Sequence, residues 1–193
     1  MPKVLLPVGD GTEVLDTLYP YFRLPEDGFE VVIAGPEARL YHGVMHEVPP
    51  DPDVPWDITR EQPAYHVKAT VAFREVDPGQ YAGLFLSGGR APEYLRLNEQ
   101  VLATVRHFAE RNKPIAANCH GAQLLAAAGV LRGRSCTAYP ACAPEVTAAG
   151  GRWVDVGFEQ AHVDGNLVTA AAWPAHPQWL ARFLAVLGTR IEL

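Results

Sequence analysis

Asn118-Cys119-His120-Gly121 is the segment of this sequence richest in chemical groups. An apolar run, Pro114 to Ala117, leads into it, and an alanine-rich stretch to Ala128 follows, closed by Gly129. That order predicts a strand turning sharply into a helix with a thiol on the turn, as a nucleophile elbow does for serine. Unpaired N–H groups at a helix start, and the helix dipole, favour a thiolate there. The bland alternative is a buried structural cysteine, because free Cys behaves as a small hydrophobe. Two more strand ends carry groups that can join the thiol. Gly88-Gly89 allows close backbone approach, and its N–H groups can pair with that of His120 as an oxyanion hole, or the two glycines form a plain tight turn. Glu13 follows the first apolar run and can serve the thiol as acid or base, or form a capping box with Asp10.

The remaining reactive residues read as structural. His42 and His46 lack the glutamate of an HExxH motif and read as solvated or hydrogen-bonded loop histidines. Cys136 and Cys142 have no metal-like spacing and read as small hydrophobes or surface thiols. Gly9-Asp10-Gly11 begins like a dinucleotide fingerprint, but Val14 stands at the third glycine position and no Walker A sequence occurs. Neither a metal nor a cofactor is expected.

A lowered thiol pKa alone explains little catalysis. A thiol at ~8.5 is ~3% ionised at pH 7, and one at ~6 is ~90% ionised, a gain of roughly 30-fold. Nucleophilicity falls with a slope of ~0.4–0.5, which takes back about 13-fold and leaves a net of about twofold. The carboxyl beside the thiol therefore needs a task of its own.

The elements that must position these groups can be read in order. Lys3 to Val8 is a buried strand, Glu13 to Leu24 a helix with Val14, Leu15, Leu18, Tyr21 and Phe22 at helical spacing, and Phe29 to Ala34 a second strand. This is a βαβ unit. Residues 39–76 hold Pro49, Pro50, Pro52, Pro55 and Pro63 among acidic residues, so regular structure is not expected over much of the segment, which reads as a lid or interface. Val67 to Phe73 alternates as an edge strand or hairpin arm would. A strand at Gly83 to Leu86, a helix from the Asn98 cap to about Arg111, and the Cys119 elbow follow. Short strands near Ser135, Trp153 and Leu167 and helices at Ala143 to Ala149 and Pro177 to Leu187 complete a three-layer α/β sandwich on a mostly parallel sheet, one domain over residues 1–193.

Composition fits that reading. Sixteen Lys and Arg against 22 Asp and Glu give a net charge of -6, with no basic stretch, so nucleic acid and anionic membrane are poor main partners. The apolar runs fall far short of a membrane span. Three cysteines without a CxxC, and no signal-peptide pattern after Met1, make a reducing cytoplasm the expected location.

The motifs together resemble the ThiJ/PfpI superfamily. Ser87-Gly-Gly-Arg-Ala-Pro-Glu-Tyr-Leu95 is similar to its strand-end segment, Ala117-Asn-Cys-His-Gly121 to its elbow, and Gly133 to Tyr139 and Val163 to Thr169 to further segments. The long insert, Cys136-Thr-Ala-Tyr139 and Ala175-His-Pro-Gln178 look most like one repeat of the plant glyoxalase III proteins. The resemblance implies a flavodoxin-like fold, Cys119 as nucleophile, Glu13 as the carboxyl bonded to it, His120 as the neighbouring histidine, and Glu93 reaching the site from an adjacent subunit of a homo-oligomer. Asn118 departs from the pattern, which has an apolar residue there, and so does Ala122, where proline is common. The implied activity is metal-free and glutathione-free: Cys119 adds to methylglyoxal or glyoxal, or reverses early protein glycation, and Glu13 moves a proton from C1 to C2. A cysteine peptidase or amidase using Cys119, His120 and Glu93, and a redox sensor oxidised at Cys119, are the alternatives.

Overall fold

The computed structural model describes residues 1–49, 53 and 58–189. In chain order its elements are β1 (Lys3–Pro7), β2 (Thr12–Glu13), α1 (Val14–Glu26), β3 (Glu30–Gly35), β4 (Leu40–Glu47), β5 (Arg60–Lys68), β6 (Val71–Ala72), β7 (Tyr81–Leu86), α2 (Ala91–Leu95) and α3 (Glu99–Glu110). They continue as β8 (Ile115–Asn118), α4 (Ala122–Ala127), β9 (Ser135–Cys136), α5 (Ala143–Ala148), β10 (Arg152–Trp153), β11 (Ala161–Asp164), β12 (Leu167–Ala170) and α6 (His176–Val186).

The central sheet runs β11-β12-β8-β7-β1-β3-β6, with every pair parallel except β11 and β12. Strand alternation divides its side chains into two cores. Leu5, Leu84, Leu86, Ile115 and Ala117 face one layer with Val105, Phe108 and Leu125. Val4, Leu6, Phe85, Ala116 and Val168 face the other with Trp179 and Phe183. Phe85 packs on both Trp179 and Phe183, at ring-centroid distances of 4.3 and 5.4 Å. Helices therefore cover both faces, which is why the central strands read as continuous apolar runs. The chain leaves β1 toward β3 and returns on β1's other side as β7, so the carboxyl ends of β1 and β7 form the switch point where such sheets bind ligands.

The proline-rich segment departs from expectation. β4 and β5 pair as a hairpin from Leu40↔Lys68 to Glu47↔Arg60, and β2 joins it as the third strand. Pro63 is tolerated because β5 is the outer strand of that small sheet and the register shifts beside it, between His42 and Val44. His42 and His46 are therefore strand residues rather than loop residues. Pro50, Pro52 and Pro55 lie outside the described residues. The suggested edge strand near Val67 to Phe73 is split between the end of β5 and the two-residue β6.

Candidate active site

The ends of β1, β7 and β8 meet at Cys119. Its φ of +52° places it in the left-handed region, a strained conformation for a residue other than glycine. Only 8% of the residue is exposed. Asn118 holds the turn by accepting the Cys119 N–H on its Oδ1 at 2.9 Å. His120 Nδ1 lies 3.2 Å from Sγ, and its ring stacks on Tyr139 at 5.1 Å between centroids. The backbone N–H groups of Gly89 and His120 lie near enough to the sulfur to favour its anion. Gly88, also expected there, instead donates its N–H to Asp16 Oδ2 at 2.9 Å. Gly88 has a steric role: a Cβ on it would stand 2.4 Å from Cys119 Cβ and 2.8 Å from Asp16 Oδ2.

The thiol is not activated by a lowered pKa. Burial, and then the nearby charge of Asp16, raise it well above its ordinary value. The helix that follows the turn has only six residues, so its dipole has little to set against that burial. Burial and then proximity to the His46 imidazole lower the pKa of His120 below the ordinary value, so its own imidazole is mostly neutral at pH 7.

Glu13 is the N-cap of α1 and accepts the Leu15 N–H at 3.1 Å. The capping box with Asp10 does not form. Asp10 instead binds the Arg39 guanidinium at 2.8 Å and the His42 N–H at 3.1 Å. Glu13 is 2% exposed, and burial, with the charge of Asp16 second, pushes its pKa up to about 9. It is a carboxylic acid at neutral pH.

Asp16, Asn118 and His176 form a buried network under the thiol that sequence reasoning missed as a unit. Asn118 Nδ2 lies 2.8 Å from Asp16 Oδ1 and 3.0 Å from His176 Nε2, and His176 Nε2 lies 2.7 Å from the same Asp16 oxygen. The amide orientation follows from the Cys119 N–H, which needs Oδ1 as its acceptor. The His176 ring stacks with Tyr19 and Trp179. The only hint in the sequence was Asn118, a polar residue ending an otherwise apolar strand.

Glu13, Asp16, Cys119 and His120 share one narrow cavity of about 50 Å³, walled by His46, Val48, Thr59, Tyr139, Ala172 and Trp173. Outside it lies a more open cavity of about 320 Å³ bordered by Gly89, Arg90, Glu93, His120, Glu61 and His46. Glu93 thus reaches the rim within its own chain, where its carboxylate pairs with Arg90 at 3.1 Å. Cys136 and Cys142 are buried elsewhere in the core, and burial pushes both thiols up to about 12. Among the described residues no cluster of His, Cys, Asp and Glu could hold a metal ion, and no helix is long and apolar enough to cross a membrane.

A doubly wound sheet with a strained cysteine between strand and helix, facing a buried carboxyl at the switch point, defines a class of cysteine-centred flavodoxin-like proteins. The DJ-1/PfpI family model matches residues 2–186, and the chain belongs to that family. It is 38% identical over 194 residues to Protein DJ-1 homolog D of Arabidopsis thaliana, covering 98% of this chain and 49% of that protein. It is 36% identical over 185 residues to a protein named as a deglycase from Pyrococcus horikoshii, covering 96% of this chain and 99% of the other. The chain thus spans about half the length of the plant relative and nearly all of the archaeal one. Among solved structures, Drosophila melanogaster DJ-1beta superposes with a TM-score of 0.78 at 21% identity, over 97% of this chain and 91% of that one.

Proposed function

We propose that this chain is a cysteine-dependent enzyme of the glyoxalase III and deglycase type, acting without a cofactor on methylglyoxal, glyoxal or their early protein adducts. The deglycase names of its archaeal relatives support the broad class. The observation that carries the finer reading is a small, partly open cavity holding a nucleophile, a neutral base and a neutral acid together. As Cys119 attacks the aldehyde carbon, its proton passes to His120 Nδ1, 3.2 Å from the sulfur, and from there to the new oxygen, which becomes the hemithioacetal hydroxyl. The new oxygen of the hemithioacetal faces the N–H groups of Gly89 and His120. Glu13 enters the reaction with its proton and gives it to the C2 carbonyl, so it starts as an acid. The enediol then collapses to a thioester, which water hydrolyses to a hydroxy acid. An interior of about 50 Å³ suits a two- or three-carbon dicarbonyl better than a peptide, whose chain would have to enter from the outer cavity.

A homo-oligomer and a cytoplasmic location complete the proposal. The test is a glutathione-free assay with methylglyoxal and glyoxal beside a fluorogenic peptide, with Cys119→Ala as the blank. Lactate from methylglyoxal that the variant does not make supports the reading. Peptide cleavage dependent on Cys119 without dicarbonyl turnover would replace it with the peptidase. No turnover, with selective peroxide oxidation of Cys119, would replace it with the redox sensor.

A further inference from the structure

The β4–β5 hairpin brings one more histidine to this site than the resemblance implied. His46 borders the inner cavity with Cys119 and Glu13, the outer cavity with His120 and Glu93, and an apolar cavity of about 490 Å³ with Leu15, Met45 and Trp173. Its backbone carbonyl accepts the Trp173 indole N–H at 2.9 Å. Its side chain is fixed as well. Glu61, directly across the hairpin in register, holds Nε2 at 3.1 Å.

A carboxylate at Nε2 selects the tautomer with the proton on that nitrogen and leaves the lone pair on Nδ1. His46 Nδ1 is buried and has no hydrogen-bond partner, one of three such side-chain atoms among the described residues. The other two belong to His107 and Gln123, which border none of these cavities. A half-buried imidazole with one nitrogen held by a carboxylate and the other buried and unpartnered has the arrangement of a general base oriented by an acid. The mechanism lacks that group. In the reading above Glu13 gives its proton to the C2 oxygen, which leaves the C1 proton without a named acceptor.

We propose that His46, oriented by Glu61, is the base that removes the C1 proton of the Cys119 hemithioacetal and returns it to C2. The proposal rests on the dicarbonyl reading above. In the first step the C1–H electron pair becomes the C1–C2 double bond, the proton goes to His46 Nδ1, and the C2 oxygen takes the proton of Glu13. In the second step His46 protonates C2, and the C1 hydroxyl returns a proton to Glu13 as the thioester carbonyl forms. No oxidant or reductant is consumed, and both side chains end as they began. The insert is then a catalytic arm rather than a lid alone.

The experiment compares wild type, His46→Gln and His46→Ala in three measurements: lactate formation from methylglyoxal, alkylation of Cys119 by iodoacetamide, and lactate formation with added imidazole. Lactate formation should fall at least about 100-fold in both variants, the range general base catalysis supplies. Alkylation of Cys119 should stay within about twofold of wild type, which shows a folded site with an intact nucleophile. Imidazole should restore turnover to His46→Ala, whose truncated side chain leaves room for it, and not to His46→Gln. Lactate formation above one third of wild type in either variant overturns the proposal, and so does failure of imidazole to restore His46→Ala. A wild type that turns over no dicarbonyl removes the underlying reading as well, and is recognised by its occurring before any substitution is made.

Discussion

Glu13→Gln tests the buried acid through stability, independently of any substrate. The native carboxyl titrates at about 9 against an ordinary 4.5, because burial and then the charge of Asp16 oppose its ionisation. Between those values the native protein keeps the proton that the unfolded chain has released. The native state thus binds more protons, and stability falls as pH rises, by about 1.36 kcal/mol per pH unit for one group. The contribution is complete below pH 4.5 and is lost progressively up to pH 9. From pH 6 to pH 8 the wild type should lose roughly 3 kcal/mol that Glu13→Gln does not lose. For a chain of 193 residues that is a relative shift in Tm of about 5–11 °C. Other titrating groups are common to both proteins and cancel in the difference. Thermal melts of both at pH 6, 7 and 8 measure it. Parallel curves would refute a neutral Glu13, and with it the acid role. In the glutathione-free assay the same variant should lose lactate formation by about 10²- to 10⁴-fold.

Brief iodoacetamide treatment should label Cys119 alone, because that thiol borders the inner cavity and Cys136 and Cys142 are almost wholly buried; mass spectrometry showing equal labelling of Cys142 would count against it. Gly88→Ala should cost about 1–3 kcal/mol in urea unfolding and suppress activity, since its Cβ would overlap Cys119 and Asp16. His176→Phe keeps a ring between Tyr19 and Trp179 but takes a partner from Asp16, and a loss of about 1–3 kcal/mol is expected by the same measurement. Light scattering at micromolar concentration should show an oligomer, with the segment carrying the exposed Leu97 and Tyr94 at the contact, and a monomer would reject that expectation.

The parts of the fold that could be read were those whose pattern is local. Alternation in Leu84-Phe85-Leu86 and Ile115-Ala116-Ala117 marks strands covered on both faces, and Asn98 caps its helix as expected. The β4–β5 hairpin was hidden because prolines signal irregular chain, and only an edge position makes Pro63 acceptable in a strand. At the site, Cys119 was legible from the change of strand to helix around it. Asp16 was not, because an acidic residue within a helix reads as a solvated group until the fold turns that face inward. His46 was misjudged for a related reason: its meaning depends on Glu61, which only the hairpin register sets opposite it.

These geometries change what activation means here. Lowering the thiol pKa would have given about twofold at best. Burial and Asp16 move it the other way, so the resting site holds a thiol, with less thiolate than the ~3% of a free cysteine at pH 7. In the proposed reaction, addition to a carbonyl then has to proceed with removal of the proton, which requires a neutral base already in contact. His120 meets both conditions: its Nδ1 is 3.2 Å from Sγ, and burial keeps its imidazole uncharged. Burial also raises the pKa of Glu13, which lines the same cavity. In the proposed reaction, desolvation thus prepares each group in the state its step needs. The left-handed turn at Cys119 and the missing Cβ of Gly88 are the structural conditions for bringing these groups so close.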